Sequence, residues 1–178
     1  MTSTLKPEGI ILKATPMFEH DKMLIFFSPE LGKCRILAKS VLSSRTKMAG
    51  SFEPTCHVVL TLFKGKTFLQ TRYADMISPF WKIRESLDKL NVAFYCLNIL
   101  VQATPMDHPN PPLFDLLLTT LSQLNDLSQE HSEAIKHRFQ RTFLTLEGLL
   151  ETDAPVTDDL FKSHLEAYCG RLLSYRNL

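Results

Sequence analysis

Long apolar runs are missing from this chain of 178 residues. The longest near-apolar stretch, Val92 to Ala103, is interrupted by Asn98 and Gln102 and is too short to cross a bilayer. The opening, Met1 to Glu8, is polar, so no secretory leader is expected. Cysteine is scarce and scattered: Cys34, Cys56, Cys96 and Cys169 form no C-x-x-C pair, which argues against a zinc ribbon. Single cysteines of this kind are expected as small buried hydrophobes in a reducing cytosol, away from membranes.

Glycine is also sparse. Six are dispersed along the chain, and Gly65-Lys66 lacks the upstream glycine of a phosphate-binding loop. There is no G-x-S-x-G nucleophile elbow and no H-E-x-x-H metal pair. Glu19-His20-Asp21 is the best acid–base cluster, but three adjacent side chains in a turn diverge and read as a solvated turn. His131 and His137 lie six residues apart and off one another's helical face. Cys34 and His57 could approach across strands, yet two ligands do not make a zinc site. The expectation is a protein that is not an enzyme and has neither cofactor nor metal site.

The most informative shortage is of acids. Between residues 31 and 74 only Glu53 is acidic, while five cations fall between residues 33 and 47. Residues 1–80 hold eleven Lys/Arg against six Asp/Glu, and the remainder holds nine against thirteen. A formal net charge of +1 therefore conceals a basic half joined to an acidic half, which places any polyanion site on the first.

What is present divides by period. Gly9–Ala14, Lys22–Ser28, Lys33–Lys39, Cys56–Phe63 and Thr67–Tyr73 read as five strands. In the third, Cys34, Ile36 and Ala38 share one face, with Lys33, Arg35, Leu37 and Lys39 on the other. Gly65 is expected to turn the last hairpin with positive φ. Five strands in so short a span suit a closed OB-fold barrel. From Pro79 the apolar period becomes helical. One long helix is expected from Ser78 as N-cap through Val101, with others at Leu113–Leu127, His131–Leu150 and Thr157–Tyr175. In the last, Leu160, Leu165, Tyr168 and Leu172 should face inward, and Phe80 and Trp81 should be core at the junction. The architecture expected is α+β: an OB-fold nucleic-acid-binding domain over residues 1–78 and an all-α domain over 79–178.

Single-stranded nucleic acid is bound by a cationic groove with aromatic faces for the bases. Lys33, Arg35, Lys39, Arg45 and Lys47 are the main candidates for phosphate contact, supported by Lys13, Lys64, Lys66 and Arg72. Phe63, Phe68 and Tyr73 are the aromatic candidates. In the helical part, Lys136, His137, Arg138 and Arg141 near Phe139 and Phe143 could take up a short apolar peptide with a terminal carboxylate.

The segment "GIILKATPMFEHDKMLIFFSPELGKCRILAKSV" resembles the opening of the bacterial DNA repair protein RecO family. The likeness rests on Gly9, Ile10, Ile11, Leu12 and Lys13, on Asp21 and Lys22, on Pro29 to Lys33, and on Arg35, Ala38 and Lys39. It continues through Gly50, Ser51, Glu53, Pro54 and Gly65. It extends over "NPPLFDLLLTTL" (Asn110, Pro111, Leu113, Phe114, Leu116, Leu117, Leu118, Leu121) and, in the tail, Gly170, Leu173 and Ser174. Two departures stand out. Ser40 replaces the usual glycine after Ala-Lys, and "TLEGLLETDAP" runs directly into "VTDDLF", leaving no room for the four-cysteine zinc module of many relatives. The resemblance implies a short, non-enzymatic recombination mediator that binds single- and double-stranded DNA and anneals complementary strands. It also implies cooperation with RecR in loading RecA at gaps, contact with the C-terminal tail of single-stranded DNA-binding protein, and a cytoplasmic, nucleoid-associated setting. The alternative is an interaction scaffold for RecR or that tail, with little DNA binding of its own.

Overall fold

The computed structural model describes residues 4–42, 49–126, 132–150 and 156–170. Five strands, β1 (Glu8–Met17), β2 (Asp21–Ser28), β3 (Gly32–Ala38), β4 (His57–Lys64) and β5 (Leu69–Ser78), close into a barrel of order β1-β2-β3-β5-β4. All neighbours are antiparallel except β3 and β5, which run parallel. The five-stranded OB-fold expectation is met: β2, β3 and β4 lie within one residue of the expected ends, while β1 runs three residues past Ala14 to Met17. The fifth runs on to Ser78.

Alternation builds the barrel. Ile11, Leu24, Phe26, Cys34, Ile36, Ala38, Val58, Leu60 and Leu62 point inward and are buried in one cluster. Three bulges break strict alternation, one of them at Ile77, which is left extra between the Val58–Met76 and His57–Ser78 pairs. On β1, Ile11 pairs with Phe26 and Lys13 with Ile25, so Leu12 is the extra residue and Lys13 is turned to the outer face. On β5, Leu62 pairs with Thr71 and Thr61 with Tyr73, so Arg72 is extra and exposed. Thr71 Oγ1 donates to the Thr61 carbonyl at 2.9 Å, which ties the bulge down.

Gly65 differs from expectation. Its φ is not positive, and the constraint is space: a Cβ there would lie 2.3 Å from the Phe68 carbonyl oxygen. Ser40, in contrast, adopts φ 58°, the region a glycine favours, while its N–H donates to Asp21 Oδ1 at 2.8 Å.

The chain forms two compact units. The first comprises residues up to Phe80 together with Pro105–Phe114; the second comprises Trp81–Thr104 and the chain from Asp115 onward. The 105–114 segment is a strap on the barrel's outer surface. Asp107 N–H donates to the Lys33 carbonyl at 2.7 Å, and Gly32, at φ 69°, is so close to His108 that a Cβ would lie 2.1 Å from its carbonyl oxygen. Phe114 lies against Phe27 and His57, with ring centroids 6.2 and 6.0 Å apart, and Phe80 stacks on His57. The His57 ring in turn bonds to Glu8 Oε1 at 2.8 Å.

The helical elements are α1 (Leu87–Ala103), α2 (Pro111–Asp126), α3 (Ser132–Leu146) and α4 (Asp158–Cys169). The first helix starts later than expected. Residues through Ser78 still extend β5, a short 3₁₀ turn spans Trp81–Ile83, and Ser86, rather than Ser78, is the N-cap. Trp81 is 66% exposed, which corrects its assignment to the core, whereas Phe80 is buried. Asn110 Oδ1 accepts from Leu113 N–H, fixing the start of α2 at Pro111, two residues ahead of the expected Leu113. α3 is shorter than its apolar stripe because Gly148 turns left-handed at φ 68°. α4 is capped by the Thr157 side chain and ended by left-handed Gly170. Phe161 and Leu165 are its buried residues, while Leu160 and Tyr168 are exposed and Leu172 lies outside the described residues. Among the described residues no helix is long and apolar enough to cross a membrane.

Candidate nucleic-acid interface

Residues directly opposed on neighbouring strands share a face. Register therefore assembles the outer surface row by row. Lys13 on β1 opposes Ile25 on β2, which opposes Arg35 on β3. One step along, Thr15, Met23, Leu37, Gln70 and Phe63 form the next row across five strands. The result is a half-buried apolar strip flanked by exposed Lys13 and Arg35. Lys64 and Lys66 are exposed at the β4–β5 loop, whose Phe68 is half-buried. Arg72 is exposed through its bulge, and Lys39 is half-buried at the end of β3. In an OB-fold, the β2–β3 surface and the loops joining β1 to β2 and β4 to β5 are the usual oligonucleotide surface. The β1–β2 turn adds Phe18, 75% exposed.

Two acids border this face, Glu19 in the β1–β2 turn and Asp107 beside Arg35, and others lie on the far side of the barrel. Glu8, Val59 and Asp75 form a row over β1, β4 and β5, on the other flank of the barrel. Glu53, the lone acid of the basic stretch, is paired with the buried ammonium of Lys22. Arg35 forms no ion pair with any described residue.

Lys33 is the main correction. Alternation does place it outward, but its row, with Phe27, Ile10 and His57, lies under the strap, and Lys33 is 4% exposed. Its side chain is withdrawn from solvent there. Arg45 and Lys47 lie outside the described residues. Lys13, thrown outward by the bulge, instead borders the face on β1.

The peptide site expected on α3 is also corrected. Phe139 and Phe143 are buried, stacked on each other with centroids 6.1 Å apart, and Phe143 meets Phe161 edge-on. They form core between α3 and α4. Lys136 Nζ bonds Glu133 at 2.9 Å and Asp158 at 3.0 Å and lies 5.5 Å from the Tyr95 ring centroid. Desolvation pulls its pKa down, but these bonds outweigh it and leave the group above its ordinary value. For Asp158, desolvation pushes the pKa up, yet bonds from Gln140 and Lys136 prevail and hold it below the ordinary value. Arg138 reaches Gln123 at 3.3 Å, and Arg141 is exposed.

Among the described residues no group of three or more His, Cys, Asp or Glu is placed to hold a metal ion. Cys34, Cys56 and Cys96 are buried. Burial, reinforced by Asp107, pushes the Cys34 thiol up to about 12, so it is a packed hydrophobe and a poor nucleophile. Glu19 and His20 are exposed in the β1–β2 turn, as expected of a solvated turn.

A closed five-stranded barrel with one cationic flank, followed by a helical unit, defines an OB-fold protein. The family model "Recombination protein O N terminal" matches residues 1–80, and "Recombination protein O C terminal" matches residues 84–152. The chain belongs to the RecO family. It is 32% identical over 143 residues to the DNA repair protein RecO of Dehalococcoides mccartyi strain 195, covering 80% of this chain and 56% of that protein. It is 31% identical over 144 residues to the DNA repair protein RecO of Desulforamulus reducens, covering 81% and 55%. The likeness to the protein of the same name in Acetivibrio thermocellus is 26% over 176 residues, covering 96% and 69%. The chain thus spans little more than half the length of the first two.

Proposed function

We propose that this chain acts in DNA repair as a non-enzymatic recombination mediator, binding single- and double-stranded DNA along the outer face that carries Lys13, Arg35 and Arg72 and across the β4–β5 loop end that carries Lys64 and Lys66. The observation that carries this reading is the register row Lys13–Ile25–Arg35, which sets cations on either side of an apolar strip facing away from Glu8 and Asp75. Neutralising two phosphate backbones at once lowers the repulsion between complementary strands, so annealing needs no covalent step. In this reading the annealed or coated strand is passed on with RecR, helping RecA load at gaps, and the tail of single-stranded DNA-binding protein is a partner. The membership of the family supports the repair role; the cationic face supports DNA as the ligand.

Annealing of complementary strands by the wild type and by a Lys13/Arg35/Lys64/Lys66→Gln variant tests this. The variant should lose most of the annealing rate while its circular dichroism and unfolding midpoint stay near wild type. Equal rates in the two would refute the assignment, and negligible oligonucleotide binding by the wild type at low salt would favour the scaffold reading.

A further inference from the structure

Beside Arg35 the barrel carries a cleft of about 470 Å³ whose lining includes Cys34, Arg35, Thr67, Phe68, Met106 and Asp107, with Leu69 at the start of β5. Its volume lies within the range of small-ligand sites. Three parts of the chain build it: β3 supplies Cys34 and Arg35, the β4–β5 loop supplies Thr67 and Phe68, and the strap supplies Met106 and Asp107. The strap is firmly set. Met106 bridges to Lys33, Asp107 N–H donates to the Lys33 carbonyl at 2.7 Å, and Gly32 lies against His108. Asp107 holds a left-handed φ of 56°, a conformation asparagine and aspartate tolerate.

Two opposite charges, Arg35 and Asp107, thus line one cleft without forming an ion pair. A carboxylate there would only weaken a site for phosphates. It suits a ligand that is anionic at one end and a hydrogen-bond donor at the other, with a flat body between to lie against Phe68 and Met106. We propose that the cleft seats one unstacked nucleobase carrying an exocyclic amino group, such as cytosine, with its amine donating to Asp107 and its phosphate on Arg35. This rests on the DNA-binding reading above and adds to it a base preference, which a purely cationic surface lacks.

The test compares fluorescent oligo-dC and oligo-dT of about 16 nucleotides, the upper site size of one OB-fold. Wild type should bind dC about fivefold or more tighter than dT, the low end of what one base contact discriminates. Asp107→Asn, whose amide both donates and accepts and which tolerates the backbone, should bring the ratio close to one without weakening dT binding. Phe68→Leu should weaken both oligomers. Salt-dependent binding with equal dC and dT affinities, or an unchanged ratio in Asp107→Asn, would overturn the base subsite while leaving the DNA-binding reading standing. No binding of either oligomer would overturn both.

Discussion

Arg35 and Lys33 are neighbours on one strand face and make opposite predictions. Arg35 is exposed and free of ion pairs with described residues, so Arg35→Gln removes one cation without disturbing β3. For single strands, each neutralised phosphate contributes about 0.7 to the slope of log affinity against log salt. The substitution should flatten that slope by about 0.7. Replacing Lys13, Arg35, Lys64 and Lys66 together should flatten it by about 3, which removes roughly fiftyfold of the affinity change between 50 and 200 mM salt. Lys33→Met is the control: its side chain is covered by the strap and 4% exposed, so the slope should stay at the wild-type value while the unfolding midpoint changes. Fluorescence anisotropy of a labelled oligonucleotide over a salt series measures the slope, and urea unfolding measures stability. A slope that falls in Lys33→Met and holds in Arg35→Gln would refute the reasoning.

Phe143→Ala should cost about 3–5 kcal/mol in chemical unfolding, because the ring is fully buried against Phe139 and Phe161; a surface peptide groove would predict almost no cost. Gln140→Leu should cost about 1–3 kcal/mol, since the fully buried amide donates to Tyr95 Oη and Asp158 Oδ1 and the substitution breaks both bonds. Ser40→Gly should be neutral or stabilising by up to about 1 kcal/mol, relief of left-handed strain outweighing the added chain entropy, as read from the unfolding midpoint. Because the pKa of Asp158 is lowered in the fold, its contribution is fully present above the unfolded value near 3.8 and is lost as pH falls through the folded value. Asp158→Asn should therefore flatten stability against pH in the acid range, measured by urea unfolding at successive pH values.

The barrel was legible because each strand obeys a local rule. Alternating Cys34, Ile36 and Ala38 must face a core whatever the rest of the chain does, and the same rule marks Arg35 as outward. The charge division was equally legible, since it is a property of composition. Local rules failed where a second element decided the environment. Helical period near Trp81 gave no sign that β5 keeps its pairing with β4 to Ser78, which delays α1 to Leu87. The pattern that put Phe139 and Phe143 on one stripe could not say whether that stripe meets a peptide or Phe161. No signal in the order of residues marks Leu12 as a bulge, yet that extra residue turns Lys13 toward solvent.

The amino-acid order by itself settled the period of each segment and the basic character of the first half, since these depend on local pattern and composition, and its five short strands suited a closed barrel, although closure itself rests on the long-range β1–β4 and β3–β5 pairings. Only the tertiary structure decided which of those basic side chains meets water. Lys33 is withdrawn by a strap that returns from residues 105–114, and Asp107 is delivered by the same strap to the edge of Arg35's cleft. A charge's surroundings are set by whatever packs over it, and here the covering segment lies some seventy residues along the chain.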